Sequence, residues 1–141
     1  MSAKKNTLAI DAGNTRVKIG VFENDELTDV LRFGQNETTK LKVFLQEKGH
    51  LPAILASVKA DKDTRWIRQW LSDVVLFKTT LPLPLKMGYE TPETLGVDRI
   101  CNAIGAFSIA HNNCLVIDVG TAEPVQRLDQ PADKKDCRSG K

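Results

Sequence analysis

Cysteine is scarce in this sequence. Cys101, Cys114 and Cys137 are too few and too scattered for a disulfide framework or a Cys-rich zinc site. An excess of one charge is also lacking. Twenty Lys plus Arg against eighteen Asp plus Glu leave +2, which gives no electrostatic case for nucleic acid or an anionic membrane. Long apolar runs are missing. Leu8-Ala9-Ile10 is halted by Asp11, well short of the roughly 7–15 residues of a signal-peptide core. Nothing approaches the ~18 residues that span a bilayer. The two histidines, His50 and His111, lack metal-ligand spacing. Neither Gly-x-x-x-x-Gly-Lys nor Gly-x-Gly-x-x-Gly occurs, which argues against P-loop and dinucleotide-fold chemistry. A reducing, cytoplasmic setting is the expectation.

What remains is ordinary globular composition: 141 residues, 41% apolar and 27% charged, one domain by length. The first third reads as β. Leu8–Ile10 suits a strand buried on both faces. From Arg16 to Phe22, Val17, Ile19 and Val21 alternate with Arg16, Lys18 and Gly20. From Leu27 to Phe33 the alternation returns, interrupted by Asp29, which predicts a strand near a sheet edge. The intervening segments Asp11–Thr15 and Glu23–Glu26 are short and rich in turn formers, so three sequential antiparallel strands follow.

Helices and strands then alternate. Leu41, Phe44 and Leu45 predict a helix over 38–48, with Gly49 at its C-cap. A buried strand is expected over 53–58. A helix over 63–71 carries Trp66, Ile67, Trp70 and Leu71 on one stripe, and another strand follows over 74–77. Leu81-Pro82-Leu83-Pro84-Leu85 reads as an extended connector. Thr91-Pro92-Glu93 has the chemistry of a helix start. A longer helix over 97–111 is apolar on more than one side, which predicts deep packing. Residues 114–119 predict a final buried strand. The fold class is α/β: one compact unit with a mixed sheet, three antiparallel strands first and parallel strands after, flanked by helices. From 122 to 141 nine residues are charged and two are proline, so 123–141 is expected to be a disordered or unrelated tail.

Two segments repeat one local pattern. Ile10-Asp11-Ala12-Gly13-Asn14-Thr15 and Ile117-Asp118-Val119-Gly120-Thr121 each end an apolar strand on Asp, then give Gly and a hydroxyl. A carboxylate there can hold a hydrated cation, and a tight glycine turn can aim N–H groups at phosphate oxygens. The same residues also make plain turns. A third segment runs from Tyr89 to Arg99. Asp98 and Arg99 fall in the first turn of a helix just after Gly96, near free N–H groups. Asp98 can accept a hydroxyl proton there, and Arg99 can clamp a carboxylate. Equally, Asp98 can simply favour the helix dipole and Arg99 be a surface charge.

These three segments, in this order and spacing, resemble the type III pantothenate kinases, relatives of the acetate and sugar kinases, Hsp70 and actin. The resembling pieces are Asp11–Lys18, Tyr89 through Thr91-Pro92 to Leu95-Gly96-Val97-Asp98-Arg99, and Asp118-Val119-Gly120-Thr121-Ala122. The Gly-Val-Asp-Arg element after Tyr and Pro is the most specific of them. The resemblance implies a ribonuclease H-like fold and transfer of the ATP γ-phosphoryl group to pantothenate, the first step of coenzyme A synthesis. It implies an ATP phosphate loop of Asp11, Ala12, Gly13, Asn14, Thr15, Arg16, Val17 and Lys18, with Asp11 placed for Mg²⁺. Tyr89, Gly96, Val97, Asp98 and Arg99 would contact pantothenate, Asp98 as proton acceptor. Asp118 would bind K⁺ or NH₄⁺, and Thr121 would touch ATP. A homodimer is implied, with neither nucleic acid nor membrane as partner. The resemblance covers about 7–122, the family's N-terminal domain. The second domain, with its adenosine site, is therefore expected to be missing and the chain by itself to turn over poorly. A non-catalytic ligand- or partner-binding fragment of the same fold is the alternative. Another phosphotransferase of the superfamily is disfavoured by Tyr89 with Gly96–Arg99.

Overall fold

The strands expected at the N-terminus form and set the frame of the molecule. A computed structural model describes residues 5–59, 61–91, 94–117 and 125–128. Strands β1 (Asn6–Ala12), β2 (Arg16–Glu23) and β3 (Glu26–Gly34) run antiparallel. Asn24 and Asp25 join β2 to β3 at φ 51° and 69°, the left-handed pair of a tight hairpin turn that Asn and Asp tolerate best. A 3₁₀ turn (Gln35–Glu37) leads into α1 (Thr38–Lys48). Then come β4 (Ala53–Ser57), α2 (Asp61–Arg68), β5 (Val74–Leu76), α3 (Val97–Ala110), β6 (Cys114–Ile117) and β7 (Val125–Leu128).

The sheet order is β3-β2-β1-β4-β5, with β4 parallel to both β1 and β5. This is the mixed α/β sheet expected, and β3 lies at its edge, where Asp29 is tolerated. Period-2 alternation gives the sheet one greasy face. Leu8, Ile10 and Ala12 of β1 lie beside Val17 and Ile19 of β2 and Ala53 and Leu55 of β4. Leu41 and Leu45 of α1 and Ile67 of α2 close over that face. Ile19 is completely buried, and burying such a side chain contributes about 1.5–3 kcal/mol. The stripe expected on α2 is present, although the helix stops at Arg68. Trp70 and Leu71 follow in turns closed by Trp70 N–H to the Ile67 carbonyl at 3.1 Å and Leu71 N–H to the Arg68 carbonyl at 3.0 Å.

Gly49 caps α1 as expected, for a different reason from the usual left-handed turn. Its φ is −67°, open to any residue. Its backbone is instead pressed against the Trp70 carbonyl, and a Cβ at 49 would overlap that oxygen and the Leu45 carbonyl.

Glu37 reaches back to accept the Gly34 N–H at 3.0 Å, and Lys40 donates to its other oxygen at 2.9 Å. Gly34, first, and Lys40, second, hold the Glu37 carboxyl below its ordinary value. A depressed folded-state value stabilises the fold above the unfolded glutamate value, and that stabilisation is lost as pH falls through the lower folded one. Glu37→Gln is therefore expected to lower the melting temperature slightly at pH 7, and the gap to the parent protein should close below about pH 4. Paired thermal melts across pH 3–7 check it; a gap constant over that range would contradict it.

The chain divides into two compact units, residues 1–81 with 96–98 and residues 82–95 with 99–141. In the second, β6 pairs antiparallel with β7. Two expectations are corrected. Strand β6 is not buried, since Leu115 and Ile117 are 56% and 61% exposed. Nor is α3 deeply packed all round: Ile100 and Ala103 are buried, whereas Ile109 is 84% exposed. Its apolar excess over one stripe is simply left at the surface. Strand β7 falls within the segment expected to be a tail. Among the described residues no helix is long and apolar enough to cross a membrane.

Candidate functional site

The Asp11–Lys18 segment is the β1–β2 hairpin and the strand ends that carry it. Asp11 lies between the buried Ile10 and Ala12, so its side chain leaves the sheet on the face away from α1 and α2. Register places Lys18 directly across, and its ammonium lies 3.7 Å from the Asp11 carboxylate. Both side chains are about half exposed (56% and 42%), so the pair contributes well under 1 kcal/mol. Stability therefore does not explain a carboxylate at this strand end.

The Gly13 N–H donates to the Arg16 carbonyl at 3.0 Å and closes the loop. A Cβ on Gly13 would stand 3.2 Å from that oxygen, tighter than side chains normally accept, so glycine suits this turn. Asn14 and Thr15 are exposed at its tip. Val17 is core, 8% exposed, and contributes to the site only through its backbone.

Two neighbours hold this loop that motif reading passed over. Ser57, at the end of β4, donates its hydroxyl to the Ala12 carbonyl at 3.2 Å and accepts the Lys59 N–H at 3.0 Å. Gln35 donates its side-chain amide to the Asn14 carbonyl at 3.4 Å. The legible signal for Ser57 was a polar residue ending an apolar strand that runs parallel to β1. The hairpin thus sits at the carboxyl ends of β1 and β4, where open α/β sheets bind ligands.

The second group opens α3. Asp98 lies in its first turn, where the helix N-terminus favours a carboxylate. The Asp98 carboxylate folds back over Gly96, and a Cβ at 96 would overlap its Oδ1. Glycine here leaves the room that this carboxylate occupies. Just upstream, the Thr94 N–H and hydroxyl donate to the Thr91 carbonyl at 2.9 and 2.8 Å; the helix start expected at Thr91-Pro92-Glu93 falls on Pro92 and Glu93, which lie outside the described residues. Gly96, Val97 and Asp98 fall in the same compact unit as Asp11, while Tyr89, 53% exposed, and Arg99 fall in the other.

Asp118 and Thr121 lie outside the described residues, as does Gly120 between them. Among the described residues no group of three or more His, Cys, Asp or Glu could hold a metal ion. Asp11 alone fits a different mode: Mg²⁺ commonly takes one carboxylate and fills its remaining positions with water and substrate phosphates.

The family model for type III pantothenate kinases matches residues 7–134. A type III pantothenate kinase of Azobacteroides pseudotrichonymphae is 38% identical over 125 residues, covering 82% of this chain and 48% of the relative. Those of Flavobacterium johnsoniae and Aquifex aeolicus are 33% and 32% identical, covering 87% and 82% of this chain and 52% and 47% of the relatives. The chain thus spans about half the length of the curated relatives it matches. Among solved structures, a 2-dehydro-3-deoxygalactonokinase protein from Sinorhizobium meliloti superposes with a TM-score of 0.51 at 16% identity. It covers 88% of this chain and 50% of that one, and it shows the sugar-kinase-like fold alone.

Proposed function

The chain belongs to the type III pantothenate kinase family, and on that premise we propose that it supplies the phosphate loop and the acceptor site for phosphorylating pantothenate from ATP. The observation that carries this reading is the Asp98 carboxylate, seated over Gly96 in the opening turn of α3, within a family match that runs through it.

Phosphoryl transfer needs positioning and charge neutralisation more than covalent help. In the proposed arrangement the Asn14 and Thr15 N–H groups and the Thr15 hydroxyl meet the ATP phosphates at the turn that Gly13 closes, and Lys18 adds a positive charge. Asp11 would hold Mg²⁺, which neutralises phosphate charge when bound. Arg99 and Tyr89 hold pantothenate, Arg99 through its carboxylate. Asp98 accepts the proton of the primary hydroxyl as its oxygen attacks the γ-phosphorus, and ADP leaves. Asp118 would hold a monovalent cation and Thr121 would touch the nucleotide. A homodimer and a place at the head of coenzyme A synthesis belong to the same proposal.

Its test is a chimaera of this chain with the remaining half of the Azobacteroides relative. With ATP, Mg²⁺ and K⁺ it is expected to turn over pantothenate at ~1 s⁻¹ or faster, an ordinary enzyme rate. A folded chimaera that binds ATP yet leaves pantothenate unphosphorylated would defeat the proposal.

A further inference from the structure

A cavity of about 280 Å³ opens beside the hairpin on the α1/α2 side of the sheet. Its polar lining comes from four separate segments: Thr15 and Arg16, Gln35, Thr38, and Lys59. Its apolar wall is Trp66 of α2 with Phe33 and Val17. This is not the side on which Asp11 and Lys18 stand. Val17 and Lys18 are successive residues of β2 and point to opposite faces, and only Val17 lines the cavity.

Charge and construction both point to an anion. Lys59 has no carboxylate partner among the described residues. Thr38 begins α1, at the positive end of the helix dipole. The walls are tied together before any ligand arrives. Ser57 fixes the Lys59 backbone to the end of β1, Gln35 is bonded to the hairpin tip, and the Thr38 hydroxyl donates to the Gln35 carbonyl at 3.0 Å. The volume lies near the lower end of ligand cavities, enough for one phosphate and a compact apolar body.

We propose that this cavity is a second anion site, opening on the sheet face opposite Asp11 and sharing only Thr15 and Arg16 with the proposed phosphate loop, which takes a small phosphate monoester with Lys59 on the phosphate and Trp66 against the organic group. The proposal stands on the cavity and not on the kinase reading.

Titrating the ¹⁵N-labelled 141-residue chain with inorganic phosphate and with phenyl phosphate, at ionic strength held constant with chloride, tests it. Saturable shifts are expected at the Trp66 indole and at the Gly34 and Gln35 amides, with phenyl phosphate the tighter of the two. Lys59→Met should weaken binding at least about tenfold, as loss of a charge-assisted contact does, and Lys59→Arg should restore most of it. Lys18→Met, on the opposite face, should leave the Trp66 shift unchanged. In the unsubstituted chain, phenyl ring protons should show NOEs to the Trp66 indole, a readout independent of any variant's folding. Absence of saturable shifts, absence of those NOEs, undiminished affinity in Lys59→Met, or loss of the Trp66 shift in Lys18→Met would each overturn the proposal.

Discussion

Gly49→Ala is expected to destabilise the fold by about 3 kcal/mol or more, a loss of roughly 10 °C in melting temperature. Two effects compete at this position. Alanine would reduce the freedom of the unfolded chain and so stabilise by about 0.4–1 kcal/mol, since the native φ of −67° suits it. Against that stands direct overlap of the new Cβ with the Trp70 and Leu45 carbonyl oxygens. Both are backbone atoms, and relief would require moving the end of α1 away from the turn after α2. That movement would stretch the hydrogen bond from the Ser72 N–H to the Gly49 carbonyl, now 2.9 Å. Overlap therefore decides the sign. Gly105→Ala is the matched contrast, because a Cβ there meets nothing within 4 Å. It sits inside α3, where alanine gains up to ~1 kcal/mol of helix propensity. Urea unfolding of the two variants should move the midpoint in opposite directions at an unchanged slope. A Gly49→Ala midpoint equal to that of the parent would refute the close approach.

Asp98→Asn in the two-half chimaera is expected to lower turnover by 10²–10⁴-fold, the usual range for a positioned base. Pantothenate affinity should change little, since the amide keeps the shape of the carboxylate. The fold should lose only about 0.3–1 kcal/mol of helix-dipole interaction. Gly96→Ala gives an independent reading of the same claim. It leaves the Asp98 charge in place but pushes the carboxylate off the position it now occupies over residue 96. Turnover should fall there as well. A single-turnover assay with calorimetry of pantothenate binding separates the cases. Unchanged turnover in Asp98→Asn would remove Asp98 from the chemistry.

Much of this architecture was legible because the local signals agreed with one another. The alternation at Val17, Ile19 and Phe33 placed the right faces in the core. Asp29 foretold the edge strand, and the stripe through Trp66 and Ile67 foretold the helix face. What failed depended on distant partners. The apolar residues of α3 and β6 were read as buried because hydrophobicity alone does not say whether a covering element exists; Ile109, Leu115 and Ile117 remain exposed. The capping motif at Gly49 gave the right residue for a reason the backbone does not support. At the candidate site, motif residues were found by type and spacing. Ser57, Gln35 and Lys59 were passed over, because each matters only through where the sheet order brings it.

The proposed function requires the hairpin at Asp11 and the helix start at Asp98 to meet one bound ATP. Mn²⁺ in place of Mg²⁺, added with ATP to the ¹⁵N-labelled chain, tests this most directly, because its unpaired electrons broaden nearby amide signals even when binding is weak. Broadening is expected at Gly13, Asn14 and Thr15 and also at Gly96, Val97 and Asp98, and Asp11→Asn should abolish both. Broadening confined to the hairpin, with sharp signals from Gly96 to Asp98, would contradict it.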